Sequence, residues 1–202
     1  MKRIALIVVA ALLFASPALA AAATYKIDSS HAQTSFAVKH LVISTVRGEF
    51  GKTEGTLVID DADATKSSVE AAIDVASVNT REEKRDAHLK SPDFFDVAKF
   101  PKMTFKSTKV EAAGAGKLKV TGDLTLKGVT KSVVLDVTGP TAEIKDPWGN
   151  TRRGVSASGK INRQDFGVSW GKVIEAGPVV GDEVTIQIEA ELLKDAPPAV
   201  KK

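Results

Sequence analysis

Histidine is the side chain here that best suits acid–base chemistry or metal binding, and there are three: His31, His40 and His88. Cysteine is absent, and no glycine-rich phosphate loop occurs. Serines are common, but a serine hydroxyl is a weak nucleophile unless a base lies beside it. The sequence therefore argues against an enzyme and predicts no catalytic residue and no cofactor.

A metal site needs two or more ligands that converge, and the histidine spacing does not provide this. If residues 31–40 form one strand, His31 and His40 point to opposite faces because side chains alternate along a strand. The sequence predicts no metal. His40 shares its face with Phe36 and Val38, so it is either a core histidine with one hydrogen-bond partner or a polar group inside a ligand pocket.

A cluster of basic side chains marks the segment 81–90, where Arg81, Lys84, Arg85 and His88 recur at spacings of three and four. Two interpretations stay open. The neighbouring acidic residues neutralise a surface helix, or the helix covers the mouth of a barrel and its cations meet a charged head group.

The same segment carries the boundary signals of a short helix. Thr80 followed by Glu83 fits a capping box, and Pro92 disfavours helix in the residue before it. We therefore expect one helix over residues 81–90. Four phenylalanines follow within the next stretch and form either core under a loop or the lining of an entrance: Phe94, Phe95, Phe100 and Phe105.

Elsewhere the dominant pattern is an alternation of apolar and polar residues with period two, typical of strands with one buried face. It is strongest over 117–127 and 184–192, and weaker over 33–40, 56–60, 69–78, 103–110, 132–138 and 155–162. Turn signals lie between these runs at 60–63, 113–116, 128–131 and 146–150. Eight strands and one helix predict an all-β protein, either an antiparallel barrel or a two-sheet sandwich.

The charged face of these strands carries closely spaced Lys, Asp and Glu, which favours an apolar interior and a charged exterior. Five small residues fall on the inward face and leave volume for a cavity, although they also suit strand bending: Ala71, Gly122, Ala157, Gly159 and Ala190. An apolar barrel of eight strands either fills its interior with side chains or holds one elongated ligand.

The chain begins with a basic pair, an apolar run from Ile4 to Phe14, and small residues before position 21. This pattern predicts a cleaved signal peptide over 1–20 and an exported protein in the periplasm. Removing Lys2 and Arg3 lowers the formal net charge from +3 to +1, too little to attract nucleic acid or an anionic membrane surface. We expect a single domain over 21–194, a flexible tail over 195–202, and no stable membrane insertion.

Several motifs keep their order along the chain and together resemble the YceI-like family. They are His31-x-x-x-Ser35-Phe36-x-Val38-Lys39-His40-Leu41, Val46-Arg47-Gly48-Glu49-Phe50, Arg85-Asp86-Ala87-His88-Leu89-Lys90-Ser91-Pro92, Gly122-Asp123-Leu124-Thr125-Leu126-Lys127-Gly128 and Ile161-Asn162-Arg163-Gln164-Asp165-Phe166-Gly167. The resemblance implies an eight-stranded, antiparallel, lipocalin-like barrel with one short helix inserted near residues 81–90.

It also implies that the lumen binds a long isoprenoid lipid, either a polyprenyl compound or an isoprenoid quinone. Apolar and aromatic positions on the inward faces are the expected lumen contacts: Phe36, Val38, His40, Phe50, Ile73, Phe94, Phe105, Leu118, Val120, Leu124, Leu126, Ile186 and Ile188. Charged positions within the matched motifs are the candidates for the head-group contacts: Arg47, Arg85, Asp86, His88 and Arg163.

Three functions are consistent with this sequence. The preferred one is a soluble periplasmic carrier of an isoprenoid lipid. The first alternative is an enzyme that acts on such a lipid or another small apolar compound, with a base such as His40 or His88 and a partner carboxylate such as Asp86. The second is a surface-interaction protein whose lumen is filled by its own side chains. The oligomeric state is left open.

Overall fold

A computed structural model describes residues 22–195. Within them lie strands β1 (Ala23–His40), β2 (Ser44–Phe50), β3 (Thr53–Ile59), β4 (Ser68–Asp74), β5 (Val78–Asn79), β6 (Lys102–Ala112), β7 (Lys117–Leu126), β8 (Val129–Thr138), β9 (Ile144–Lys145), β10 (Thr151–Asn162), β11 (Val173–Ile174), β12 (Gly177–Pro178) and β13 (Val180–Lys194). One α-helix, α1 (Glu83–Lys90), and three 3₁₀ turns (Ala64–Lys66, Val75–Ser77, Arg163–Phe166) complete them. The expected signal peptide and all of the expected tail except Asp195 lie outside the described residues.

Eight of the described strands close into an antiparallel barrel, as the sequence predicts. Around the barrel the order is β1, β3, β4, β6, β7, β8, β10 and β13, and β13 pairs back with β1. Each barrel strand therefore lies beside its neighbour in chain order. Closure pairs the edges that an open sheet would leave exposed.

The hairpin between β7 and β8 shows how local sequence sets the register. Leu126 pairs with Val129, so the connection is the two residues Lys127 and Gly128, both with positive φ. Such a turn matches the right-handed twist of the flanking strands. The sequence-based boundary at 128–131 was wrong, because Val129 to Lys131 already belong to β8.

Strand β1 serves two different neighbours along its length. Residues 23–26 pair with β3, and residues 34–40 pair with β2, while β13 runs along the opposite edge. The sequence interpretation did not assign β2. Strand β2 has a second strand partner only at Glu49 and Phe50, where it meets β5, so residues 44–48 form an edge with no further strand among the described residues.

Helix α1 begins two residues later than predicted, and Thr80 is not its cap. The carboxylate of Glu82 accepts from the backbone N–H groups of Lys84 and Arg85, which satisfies the first free donors of the helix. Arg81 adopts a left-handed φ of 63° and turns the chain before the cap. The helix ends at Lys90, before Pro92, as expected.

Two apolar clusters fill the two ends of the barrel interior. The end that carries α1, the turn after β1 and the β11–β12 hairpin is called the helix end; its cluster includes Phe50, Val75, Phe94, Phe166 and Val168. The opposite end, called the far end, is packed around Tyr25, Ile59, Ala190 and Leu192.

Candidate functional site: the barrel lumen

A cavity of about 830 Å³ occupies the barrel interior. Its wall reaches from Arg85 and His88 at the helix end to Asp61 and Lys117 at the far end, and most of the surface between them is apolar. This volume lies within the roughly 300–1,000 Å³ range of pockets that enclose small molecules. The lumen is therefore hollow, and the alternative of a lumen filled by its own side chains does not match it.

All thirteen residues expected in the lumen lie on the cavity wall: Phe36, Val38, His40, Phe50, Ile73, Phe94, Phe105, Leu118, Val120, Leu124, Leu126, Ile186 and Ile188. The alternation along each strand puts them there, because every second side chain points inward.

The small inward residues divide into two groups. Ala71, Ala157 and Ala190 line the cavity and leave it wide. Gly122 and Gly159 instead lie beneath neighbouring side chains: an added Cβ would lie 2.4 Å from the Phe105 ring at position 122 and 2.8 Å from Leu135 at position 159. These two glycines make room for a cross-strand side chain rather than for a ligand.

Aromatic rings line the helix end of the cavity. Phe50 contacts Phe36 and Phe95, with ring centroids 5.7 and 5.9 Å apart. Phe36 is held over Gly48, where a Cβ would come within 2.5 Å of its ring. Phe100 lies outside the cavity and packs on Gly128. The phenylalanines after the helix thus serve both purposes, core and lining.

Helix α1 brings three basic or titratable side chains to the cavity: Lys84, Arg85 and His88. Arg85 is partly committed elsewhere, because its Nε donates to the Thr80 hydroxyl and its Nη2 to the Thr80 carbonyl. Lys84 is exposed and makes no side-chain hydrogen bond among the described residues. The helix therefore covers the mouth of the barrel with its cations toward the lumen.

Asp86, a head-group candidate, points away from the cavity. Its Oδ1 accepts from the backbone N–H of Thr80 at 2.8 Å and from the Thr80 hydroxyl at 2.5 Å. This pair fixes the segment that leads into the helix. Asp86 therefore has a structural role, and Thr80, which the sequence predicted as the helix cap, donates both hydrogen bonds to it.

His88 lies between two aromatic rings at the helix end. Its imidazole meets Phe94 and Trp170 edge to face, with centroids 5.0 and 5.1 Å away. Its Nε2 is 2.8 Å from an oxygen of Asp93. The sequence interpretation did not identify Trp170 as a cavity residue. Trp170 lies in a loop without a periodic pattern, and only the folded structure brings it to the cavity wall.

The two remaining head-group candidates differ in exposure. Arg47 is exposed on β2 and is absent from the cavity wall. Arg163 is buried and touches the cavity, but its guanidinium donates to the carbonyls of Gly181, Val168, Trp170 and Val180 and to Asp182. Those bonds join the loop after β10 to β13, so Arg163 is committed to the fold. Lys39, Lys84 and part of Arg85 remain available at the mouth among residues 22–195.

Polar residues at the far end are paired with one another. Tyr25, fully buried, donates to Glu143 at 2.5 Å, and Lys194 donates to the same oxygen at 2.6 Å. Burial, reinforced by this hydrogen bond, raises the pKa of Tyr25 to about 12. Arg153 lies over the Tyr25 ring and binds Asp61 through two parallel hydrogen bonds of 2.7 Å.

A second ionic cluster surrounds Arg152 at the same end. Its guanidinium donates to Asp28, Asp146 and Glu191 at 2.7–2.9 Å. The hydrogen bond from Arg152, together with those from Asn150 and Trp148, lowers the pKa of Asp146 to about 2. Hydrogen bonds from Ser30 and Arg152 lower the pKa of Asp28. Oxygen and nitrogen atoms of Asp28, His31 and Glu191 converge within 4.8 Å, but Arg152 binds both carboxylates and supplies the charge that a cation would otherwise bring.

The structure places one histidine–carboxylate pair at the helix end of the cavity, and it joins His88 to Asp93 rather than to Asp86. Asp86 binds Thr80, His88 binds Asp93, and the His40 imidazole makes no hydrogen bond among the described residues. The pentapeptide Gly167-Val168-Ser169-Trp170-Gly171 fits the nucleophile-elbow pattern, which the sequence interpretation missed. It lies in a loop rather than on a strand–turn–helix, and Ser169 is exposed, so it lacks the context that the motif needs.

A family model described as the YceI-like domain matches residues 25–192. The chain belongs to the YceI-like family. A UPF0312 protein of Photorhabdus laumondii is 45% identical over 159 residues, which cover 78% of this chain and 81% of that relative.

Solved structures show the same fold. The crystal structure of Burkholderia cenocepacia BcnA matches with a TM-score of 0.71 and 27% identity, over 82% of this chain and 98% of that one. A polyisoprenoid binding domain from Saccharophagus degradans, implicated in plant cell wall breakdown, matches with a TM-score of 0.61 at 18% identity, over 85% and 98% of the two chains. At that identity the second likeness supports the architecture alone.

Among residues 22–195, no helix has the length and apolar character needed to cross a membrane.

Proposed function

We propose that this protein binds the tail of a long isoprenoid lipid inside its barrel. The observation that carries the proposal is the hollow lumen of about 830 Å³, with apolar walls along most of its length. This function needs no chemical step, because burial of an apolar tail forms and breaks no covalent bond. The polyisoprenoid binding named for the Saccharophagus relative is consistent with this proposal.

The energetics of burial support a long tail rather than a short one. Burying apolar carbon gains about 0.8 kcal/mol per CH₂, so a tail of roughly twenty carbons gains about 16 kcal/mol. That exceeds the roughly 4–15 kcal/mol that association costs in lost translational and rotational freedom. Short apolar compounds gain too little to be retained.

We place the polar head of the ligand at the helix end. Lys84 and Arg85 supply positive charge there, and His88 presents its imidazole between Phe94 and Trp170. At the far end Asp60 and Asp61 are balanced by Lys117 and by Arg153, which binds Asp61, so that end offers no excess of positive charge to an anionic head. This polarity suits a polyprenyl phosphate, and a quinone head is accommodated at the same place by hydrogen bonds.

We further propose that the protein is a soluble periplasmic carrier. The basic start, apolar run and small residues of positions 1–20 support export, although that segment lies outside the described residues. A carrier of this kind shields an apolar molecule from the water between two membranes.

The decisive experiment narrows the lumen without touching its ends. Ala157→Phe adds a ring to the cavity wall at mid-barrel, and Ser158→Phe adds the same ring on the outer face one residue later. Native mass spectrometry and fluorescence titration with geranylgeranyl phosphate and an isoprenoid quinone measure binding. We expect at least a tenfold loss of affinity for Ala157→Phe and less than a twofold change for Ser158→Phe.

Equal affinity in the two variants would overturn lumen binding, as would an unmodified mass for the wild type after exposure to both probes. Thermal unfolding of both variants checks that each is folded. Gly122→Phe is a poor substitute, because its Cβ would collide with Phe105 before the ring reached the cavity.

A further inference from the structure

Four branched aliphatic side chains are exposed together at the helix end. Ile43 and Val173 are each 83% exposed, and Val42 and Ile174 are about half exposed. They lie on two adjoining loops, the turn Leu41–Ile43 after β1 and the β11–β12 hairpin. The Leu41 N–H donates to the Val179 carbonyl at 2.9 Å, and a Cβ on Gly177 would lie 3.1 Å from Val42. We call these two loops the docking rim.

The backbone of the docking rim does not explain its apolar side chains. Leu41 and Val42 have φ values of 52° and 64°, the left-handed region that Asn or Gly adopts at lower cost. A β-branched residue is especially disfavoured there. Turn formation alone would therefore select a different residue at position 42, which points to a use for the exposed side chain outside the fold.

The docking rim is continuous with the lumen. His40 lies directly before the Leu41–Ile43 turn and Val46 follows it; Val179 and Val180 follow the hairpin, and all four line the cavity. A lipid that leaves or enters the lumen at this end passes beside the exposed aliphatic side chains. The surface is thus placed where an apolar tail crosses between the protein and its surroundings.

The local charge around the docking rim favours an anionic partner, although the net charge of +1 expected for residues 21–202 is small. Lys39, Arg47 and Lys172 are exposed beside the two loops, against one acidic residue on the hairpin, Glu175. Among residues 22–195, these three cations have no carboxylate oxygen within 4.0 Å. Basic side chains next to an exposed apolar surface are typical of proteins that lie on anionic lipid bilayers.

The size of the surface also favours a bilayer over a protein. Four aliphatic side chains on two loop tips are far fewer than the roughly 20–30 residues that each partner of a stable protein complex contributes. Loop tips need only enter the interface of a bilayer to bury their side chains. We propose that the docking rim binds reversibly to a bilayer that contains anionic phospholipid. An isoprenoid lipid can then pass between the membrane and the lumen, and this passage, unlike the docking itself, rests on the proposed function.

The experiment measures binding of the mature protein to vesicles without transfer of any ligand. Vesicles of phosphatidylethanolamine and phosphatidylglycerol are floated with the wild type, with Ile43→Ser/Val173→Ser, and with the matched variant Ile144→Ser/Trp148→Ser. Ile144 and Trp148 are 62% and 80% exposed at the far end, so they test exposed apolar surface as such. We expect the rim variant to bind vesicles at least tenfold more weakly and the far-end variant to stay within twofold of wild type.

Replacing phosphatidylglycerol by phosphatidylcholine should weaken binding of the wild type severalfold. Three results would overturn the proposal: no vesicle binding by the wild type, loss in the far-end variant instead, or a concentration-dependent dimer in ultracentrifugation that Ile43→Ser disrupts. A parallel titration with geranylgeranyl phosphate separates the two proposals. Retained lumen binding with no vesicle binding contradicts docking alone, whereas lost lumen binding with intact docking contradicts the proposed function alone.

Discussion

At the far end of the barrel, Arg152 and Arg153 bind four carboxylates, whereas at the helix end Lys39, Lys84 and Lys172 have no carboxylate oxygen within 4.0 Å among residues 22–195. The Arg152 and Arg153 charges are satisfied internally and join strands that are distant in sequence, whereas the exposed Lys117 at that end has no carboxylate oxygen within 4.0 Å among residues 22–195. The helix-end lysines are not used by the fold and stay available to a ligand or a surface. The comparison separates charges that the fold pairs from charges that have no carboxylate partner among residues 22–195. A place in a matched motif does not decide between them, since Arg163 is paired and Lys39 is not.

The largest expected difference is in the free energy of unfolding, between a substitution in the core of the helix end and one on its surface. Phe166→Ala removes a buried ring from the core cluster and should lower the free energy of unfolding by about 3–5 kcal/mol. Ile43→Ser, on the docking rim, should change it by less than about 0.5 kcal/mol. Urea denaturation measures both. If Ile43→Ser lowered the free energy of unfolding by more than about 1 kcal/mol, the docking rim would contribute to the stability of the fold and the comparison would fail.

The next effect concerns Tyr25 at the far end. Tyr25→Phe removes a hydrogen bond to a carboxylate and should cost about 1.5–2 kcal/mol near neutral pH. Because the pKa of the folded protein is raised from 10.0 to about 12, this tyrosine contributes stability that is fully present below pH 10 and is lost as pH rises toward 12. Unfolding followed from pH 9 to 12 should show a steeper decline for the wild type than for Tyr25→Phe.

The acidic side of the same end gives a prediction of opposite sign. The pKa of Asp146 is lowered from 3.8 to about 2, so its contribution is present above pH 4 and is lost as pH falls toward 2. We expect the melting temperature of Asp146→Asn to fall less than that of the wild type over this interval. Parallel curves for the two proteins would show that the Arg152 cluster does not control acid stability.

The smallest effect compares one lysine at each end of the lumen. Lys84→Gln should weaken binding of geranylgeranyl phosphate about two- to fivefold, since an exposed charge contributes up to about 1 kcal/mol. The quinone, which lacks the anionic head, should bind unchanged. Lys117→Gln is the matched variant on the far wall and should affect neither ligand. Fluorescence titration of the two ligands decides this, and a larger effect at Lys117 would place the head at the far end.

The sequence predicts the eight barrel strands well because each strand carries its own evidence, whereas the choice of a barrel over a sandwich came from the family resemblance. Alternation over 117–127 and 184–192 places every second residue inward without reference to any other strand. The same rule selects the cavity wall, including Phe36 and Ile188, and it requires only that one face be dry.

Contacts that depend on the assembled fold were harder to predict. Arg163 lies in a matched motif, yet its bonds to the loop after β10 and to β13 become visible only in three dimensions. Thr80 and Asp86 fit general patterns for a cap and a ligand group and instead bind each other. No sequence pattern marks the docking rim, because its residues come from two loops that lie more than a hundred positions apart in the chain.

The unpaired edge of β2 has a mechanical consequence. From residue 44 to 48 the neighbouring element is not a strand, and the segment around Thr80 and α1 lies beside it; a Cβ on Gly48 would come within 2.7 Å of the Thr80 methyl group. A helix cannot form strand-to-strand backbone hydrogen bonds with β2, so in the described residues this edge of β2 is held to the helix segment by side-chain contacts. Widening the barrel here breaks none of the strand-to-strand hydrogen bonds that close it elsewhere. Moving this one short helix aside would therefore open the wall here without separating any two paired strands.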